Sequence, residues 1–242
     1  MRRLLLTLLI TIPLATFGQV AMDELKSNSS PIDGRMSNSF YRQESSQYKE
    51  LRSILNLDVF EYFDLKDTYD SELKQKVFKE SDEYKAKLTA LQKVKSELIS
   101  KQYYIDLRPA NRLEYNLTTK TFAVTNEVYA KSEYKKIGFV QFDEIVLKNP
   151  IGLSVSKSRA NYGGVDFVIQ DILFKIPNES LALKIEENKS SIRFLFILSF
   201  TGTSPFEDNI LGMTTFTSYH LMANTKKVIV YNADTNEIYH SF

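Results

Sequence analysis

The sequence predicts an α+β protein in which helices come first and an antiparallel sheet follows. Three observations predict this class: a helical periodicity within residues 48–101, β-type alternation from residue 102 onward, and short Asn/Asp/Thr turns between the last apolar runs. Helices followed by hairpin-linked strands are typical of α+β folds, because the helices cover one face of the sheet. We expect the sheet to have roughly 7–9 strands.

Two segments carry the helical periodicity. In the first, Leu51, Ile54, Leu55 and Val59 share one apolar face. The second is predicted as one long amphipathic helix over residues 71–101, without Gly or Pro inside, packed on the sheet. Its apolar stripe consists of Val77, Tyr84, Leu91 and Leu98 at seven-residue spacing, with Leu73, Leu88 and Val94 beside them.

The strand predictions rest on period-two alternation and on apolar runs bounded by turn residues. The segment IRFLFILSF (residues 192–200) is apolar on both faces and is predicted as a central strand covered on both sides. The last three runs are predicted as a meander joined by the turns ANT and NADTN. The candidate strands are 103–107, 113–117, 122–128, 137–147, 166–176, an alternating run at Leu181, Leu183 and Ile185, 192–200, 214–222, 227–231 and 237–242.

The first eighteen residues have the order of an export signal. Arg2 and Arg3 precede an apolar run of about a dozen residues, whereas a permanent membrane helix needs about 20. Gly18 then supplies the small residue expected before cleavage. We therefore expect a cleaved signal peptide (1–18), a flexible polar leader (19–47) and a single α+β domain (48–242). The expected location is the periplasm of a bacterium, or the exterior if the protein is secreted.

Composition excludes several classes of function. The chain has 31 Lys and Arg against 30 Asp and Glu, so no basic surface for nucleic acid is expected. It has no cysteine, which excludes disulfides, thiolate metal sites, cysteine nucleophiles and the cysteine-linked lipid anchor of bacterial lipoproteins. After residue 18 the sequence has no apolar run long enough to predict a membrane span. No motif predicts a cofactor.

Two groups of residues are candidates for binding or chemistry. His220 and His240 fall on the first and third strands of the predicted meander, where they would lie near each other. No metal-binding spacing supports a zinc site, and the alternative is that both are structural strand residues. Lys157, Arg159 and Tyr162 lie in a predicted loop (154–167) with Gly163 and Gly164, whose backbone amides and cations suit an anion. The alternative there is a plain strand connection.

These observations favour an exported, non-catalytic binding or interaction module. Its partner would be a protein, an envelope polymer or a small ligand. The alternative is a cysteine-free hydrolase in which a histidine and a carboxylate meet only in the folded chain. The catalytic motif GxSxG is absent, which favours the first hypothesis.

Overall fold

The computed structural model of the chain describes residues 14–32, 46–108, 113–129, 140–142, 145–148, 152–162, 165–210 and 214–242. These residues form six helices and eleven strands, which confirms the α+β class. The helices are α1 (Leu14–Ser27), α2 (Ser46–Asn56), α3 (Val59–Tyr62), α4 (Glu72–Lys79), α5 (Asp82–Ser100) and α6 (Glu179–Glu187). The strands are β1 (Ser30–Pro31), β2 (Tyr103–Leu107), β3 (Leu113–Asn116), β4 (Thr121–Tyr129), β5 (Val140–Phe142), β6 (Ile145–Lys148), β7 (Leu153–Tyr162), β8 (Val165–Lys175), β9 (Ile192–Ile210), β10 (Thr214–Asn232) and β11 (Ile238–Ser241).

The strands form two sheets. The large sheet has the order β1-β2-β9-β10-β6-β5, with β11 also paired to β10, and the small sheet has the order β3-β4-β8-β7. The ladders are antiparallel except for β1–β2 and β6–β10. The region predicted as one strand over 137–147 is instead the β5–β6 hairpin in its described part, in which Phe142 pairs with Ile145.

One hydrophobic cluster joins the two sheets to α2 and α5. On the face of the large sheet that we call inner, Phe194, Phe196 and Leu198 of β9 are buried. Phe174 of the small sheet meets Phe194 edge to face, with ring centroids 4.9 Å apart, and stacks on Phe122 at 5.2 Å. The prediction of a doubly covered central strand is confirmed, since the opposite, outer face of β9 is also buried.

Helices α2 and α5 cover another part of the inner face. Leu51, Ile54 and Leu55 of α2 are buried, as the periodicity predicts. Leu91 and Leu98 of α5 are buried in the same cluster. The Lys95 ammonium donates a 2.6 Å hydrogen bond to the carbonyl of Leu55, and so satisfies an acceptor that the end of α2 leaves open.

The single long helix predicted over 71–101 is wrong, because the chain forms α4 and α5 with a break between them. Ser81 has an extended conformation, and its side chain accepts a hydrogen bond from the Tyr84 amide. A serine followed by Asp82 and Glu83 is a strong helix start. The break changes the direction of the apolar stripe, so Leu73 and Val77 are 72% and 64% exposed.

The alternating run at residues 181–185 is a helix rather than a strand. Asn178 begins α6, and its side chain accepts a hydrogen bond from the Leu181 amide at 3.1 Å. Ala182 and Ile185 are buried at helical spacing, while Leu183 is exposed. Capping by Asn178 therefore outweighs a three-residue alternation that also fits a helix.

The predicted three-stranded terminal meander is wrong at its first turn. Residues 223–225 (ANT) pair with Phe200, Ser199 and Leu198, so β10 is one continuous strand with register shifts on either side of them. The second turn is confirmed. There the Asn232 side chain accepts hydrogen bonds from the amides of Asp234 and Thr235, a typical Asx turn.

Part of the predicted flexible leader is folded. The leader begins inside α1, and β1 pairs with β2 immediately after it. Met22 of α1 is 1% exposed and lies on the outer face of the large sheet against Leu195, Ile197, Ile229 and Tyr231. Residues 33–45 of the leader and 1–13 of the signal lie outside the described residues.

We expect Gly152→Ala to lower the free energy of unfolding by about 2–4 kcal/mol. Gly152 has a φ of 69°, and a Cβ atom there would overlap the ring of Phe242. The matched control is the same substitution in a Phe242→Ala background, which keeps the backbone strain at φ 69° and removes the ring that the Cβ atom would overlap. Urea unfolding should show the smaller loss for the control, and equal losses would mean that the Phe242 ring yields.

Candidate functional site

A cleft of about 710 Å³ opens where α3, α4 and α5 meet β10. Its volume lies within the range of about 300–1,000 Å³ typical of ligand sites. We call it the helical cleft. It is lined by Asn56, Leu57, Asp58, Val59, Phe60, Lys66, Asp70, Gln75, Lys79, Tyr84 and Tyr219.

The connection between α2 and α3 forms one wall of the helical cleft. Leu57 takes a positive φ of 55°, which ends α2. Asp58 then begins α3, and its carboxylate accepts a 2.9 Å hydrogen bond from the Glu61 amide. A hydrogen bond between Asn56 and Thr203 of β9 ties this wall to the large sheet. The wall is therefore fixed at both ends.

Four aromatic rings support the floor of the helical cleft. Tyr69 and Phe78 stack with centroids 4.0 Å apart, and Phe60 meets both rings edge to face at 6.1 and 5.9 Å. Tyr84 lies 6.0 Å from Phe60 and 5.6 Å from Phe78. Offset and edge contacts of this kind hold aromatic side chains in fixed positions. The floor is therefore backed by one packed cluster of aromatic rings.

The acids of the helical cleft are already engaged. Asp70 forms an ion pair with Lys74 at 2.9 Å, and this hydrogen bond and the lysine charge hold the pKa of Asp70 below its ordinary value. Lys66 pairs with Glu61. Lys79 differs from these residues, since its ammonium lies 5.6 Å from the Phe60 ring and pairs with no carboxylate among the described residues. Tyr219 is 38% exposed at the rim.

Lys157, Arg159 and Tyr162 do not lie in a loop. They belong to β7, where Lys157 pairs with Gln170, Arg159 with Val168 and Tyr162 with Val165 of β8. Of the predicted loop, residues 154–162 and 165–167 belong to strands, and Gly163 and Gly164 lie outside the described residues. A strand continues through residues 153–162, but most of these residues are polar, so the apolar alternation that would reveal the strand is absent from the sequence.

The structure does not bring the two histidines together. His220 is buried in β10, and His240 of β11 pairs with Val230, ten residues farther along β10. At about 3.3 Å per residue the two positions are roughly 30 Å apart. The His240 ring meets the Phe242 ring edge to face at 4.5 Å. Neither histidine lines the helical cleft.

Away from the helical cleft, the polar cluster of Lys26, Asp106 and Tyr231 fixes α1 to the outer face of the large sheet. The Lys26 ammonium contacts Asp106 at 2.9 Å and the Tyr231 hydroxyl at 3.2 Å, and the Tyr231 hydroxyl donates to Asp106. Burial, followed by the Asp106 carboxylate, raises the pKa of Tyr231 to about 12. Partial burial opposes the charged form of Lys26, but the hydrogen bonds to Asp106 and Tyr231 outweigh it and raise the Lys26 pKa.

We expect this group to make stability fall in alkaline solution. Tyrosine ionises near pH 10.0 in the unfolded chain but near pH 12 at Tyr231 in the folded protein. The stabilisation is therefore complete below pH 10.0 and is lost as the pH rises through 12, and the raised pKa of Lys26 acts in the same direction. Tyr231→Phe removes the ionisation of residue 231, so its unfolding free energy should fall less steeply across this window. Parallel pH profiles would contradict the assignment.

Sequence reasoning missed the helical cleft. Its lining comes from several segments between residues 56 and 84 and from Tyr219, and no motif joins them. The Ser81 cap, which turns α5 and places Tyr84 at the cleft, is the one signal that reveals part of it. Among the described residues no group of three or more His, Asp or Glu side chains could hold a metal ion. No described helix is long and apolar enough to cross a membrane.

Comparison with protein-family models, with curated proteins and with solved structures finds no match to this chain. Its function is therefore inferred from the geometry and chemistry of the helical cleft.

Proposed function

We propose that this chain is an exported bacterial envelope protein, periplasmic or secreted, that binds a partner or ligand without transforming it. The observation that carries the proposal is the helical cleft, an open depression with an aromatic floor and a rim of hydrogen-bonding groups. A cleft of this size that combines aromatic side chains with hydrogen-bonding groups is typical of binding sites. The signal-like residues 1–18 supply the export part of the proposal.

The state of the polar groups in the helical cleft favours binding over acid–base catalysis. The Asp58 carboxylate accepts a hydrogen bond from a helix amide, and Asp70 is paired with a lysine. The lysine holds the pKa of Asp70 below its ordinary value, whereas a general acid needs a raised pKa. A hydrolase built on His220 or His240 remains the alternative, although their separation along β10 means that each would need its own carboxylate.

Export is tested by expressing the full chain in a bacterial host and fractionating the cells. We expect the protein in the periplasm or the medium, with Gln19 as the first residue by mass spectrometry. Leu8→Arg, which interrupts the apolar run, should leave the full-length chain in the cytoplasm, while the matched Ser27→Arg should be exported normally. Cytoplasmic full-length protein in the unaltered chain would overturn the export proposal.

Binding and hydrolysis are tested on the recovered protein. Native mass spectrometry should show a retained ligand in a fraction of the molecules. Chromogenic ester, amide, glycoside and phosphate-ester substrates should remain intact. Turnover that His220→Ala or His240→Ala abolishes, in variants that still fold by circular dichroism, would replace the binding proposal with the hydrolase.

A further inference from the structure

We propose that the helical cleft binds a peptide segment in which an acidic side chain stands next to an apolar one. This inference rests on the proposed binding function and names its ligand class. It follows from three features of the cleft: its donors, its acids and its floor.

The donors that remain available in the helical cleft suit a carboxylate. Lys79 supplies an ammonium group that contacts the Phe60 ring and pairs with no acid in the described ranges of the chain. Tyr84 and Tyr219 supply two phenol hydroxyls that bond to no other group in the described part of the chain. An ammonium and two hydroxyls are all donors that an ionised acid can accept from, and hydrogen bonds to a charged acceptor are about twice as strong as neutral ones.

The acids of the helical cleft argue against a uniformly anionic ligand. Asp58 and Asp70 line the same cleft as Lys79, and the side chain of Asp70 is 62% exposed. A polymer with a negative charge on every unit would place further charges beside these two carboxylates, which costs free energy at short range. A peptide carries few charges and can present a single acid to Lys79. Its remaining backbone amides can donate to Asp58 and Asp70.

The floor of the helical cleft suits an apolar neighbour of that acid. The half-buried Leu57 and Tyr84 leave apolar surface open in the cleft, Val59 and Phe60 are buried beneath it, and Lys79 lies over the Phe60 ring. The cation is thus adjacent to the apolar surface. A side chain that follows the acid in a peptide reaches this floor, and burying a Phe-sized group there supplies the apolar part of the affinity.

The test compares blocked pentapeptides of sequence Gly-Phe-Glu-Phe-Gly and Gly-Phe-Gln-Phe-Gly in NMR titrations of the purified chain. We expect the Glu peptide to bind about fivefold more tightly, because only its carboxylate is charged. Lys79→Gln should remove this preference. The matched control is Lys76→Gln, which makes the same charge change at an exposed position of α4 that does not line the cleft, and it should preserve the preference.

Four results would overturn the proposal. The first is equal binding of the two peptides, and the second is an equal effect of Lys76→Gln and Lys79→Gln. The third is Lys79-dependent binding of polygalacturonate in place of the Glu peptide, which would assign the cleft to an anionic polymer. The fourth is the absence of peptide binding in a protein that retains a ligand in native mass spectra. In that case the peptide assignment fails and the binding function stands. If the protein neither binds a peptide nor retains a ligand, the peptide assignment and the binding function both fail.

Discussion

Replacing Phe174 with alanine is expected to lower the free energy of unfolding by about 3–5 kcal/mol, the usual cost of removing a buried phenylalanine. Phe174 is 1% exposed and lies between the two sheets. Its ring contacts Phe122 at 5.2 Å, Phe194 at 4.9 Å and the terminal Phe242 at 6.3 Å. The substitution therefore removes apolar burial and opens a cavity where the sheets join.

Urea unfolding followed by tyrosine fluorescence and circular dichroism measures this loss. Leu183→Ala is the control, because Leu183 is an exposed apolar residue and its truncation should change stability by less than about 0.5 kcal/mol. If Phe174→Ala behaves like the control, the two sheets do not share a core. A change in the urea dependence without a change in midpoint would indicate that the small sheet unfolds separately.

Sequence patterns identified the elements whose burial follows one simple period. Ile172, Phe174 and Ile176 alternate at the end of the predicted strand 166–176, and all three residues are buried. The two-faced run over 192–200 predicted the central strand because α1 and the inner cluster cover opposite sides of β9. In each case a single physical cause, the exclusion of apolar side chains from water, determines the pattern.

Local hydrogen bonds decided the elements that sequence patterns missed. The Ser81 and Asn178 side chains begin helices α5 and α6 against the longer-range apolar pattern. The helical cleft was missed for a different reason, since Tyr219 is more than a hundred residues from the helices that complete it. Strand register brings such residues together, and a slip of one position would reverse every side chain of β10.

Replacing Met22 with alanine is expected to lower the free energy of unfolding by about 2–5 kcal/mol. This result would show that the α1 segment beyond Gly18 belongs to the folded domain. The Met22 side chain is buried against Leu195, Ile197, Ile229 and Tyr231, and a truncated residue would leave their outer faces partly uncovered.

Two variants separate packing from helix formation at this position. Met22→Leu preserves volume and should cost less than about 1.5 kcal/mol, while Glu24→Ala alters an exposed position of α1 and should cost less than about 0.5 kcal/mol. A chain that begins at Gln19 should give the same three values, because signal cleavage after Gly18 leaves Met22 in place. If Met22→Ala costs no more than Glu24→Ala, α1 does not cover the outer face, and the flexible leader predicted from the polar composition of residues 19–47 is correct.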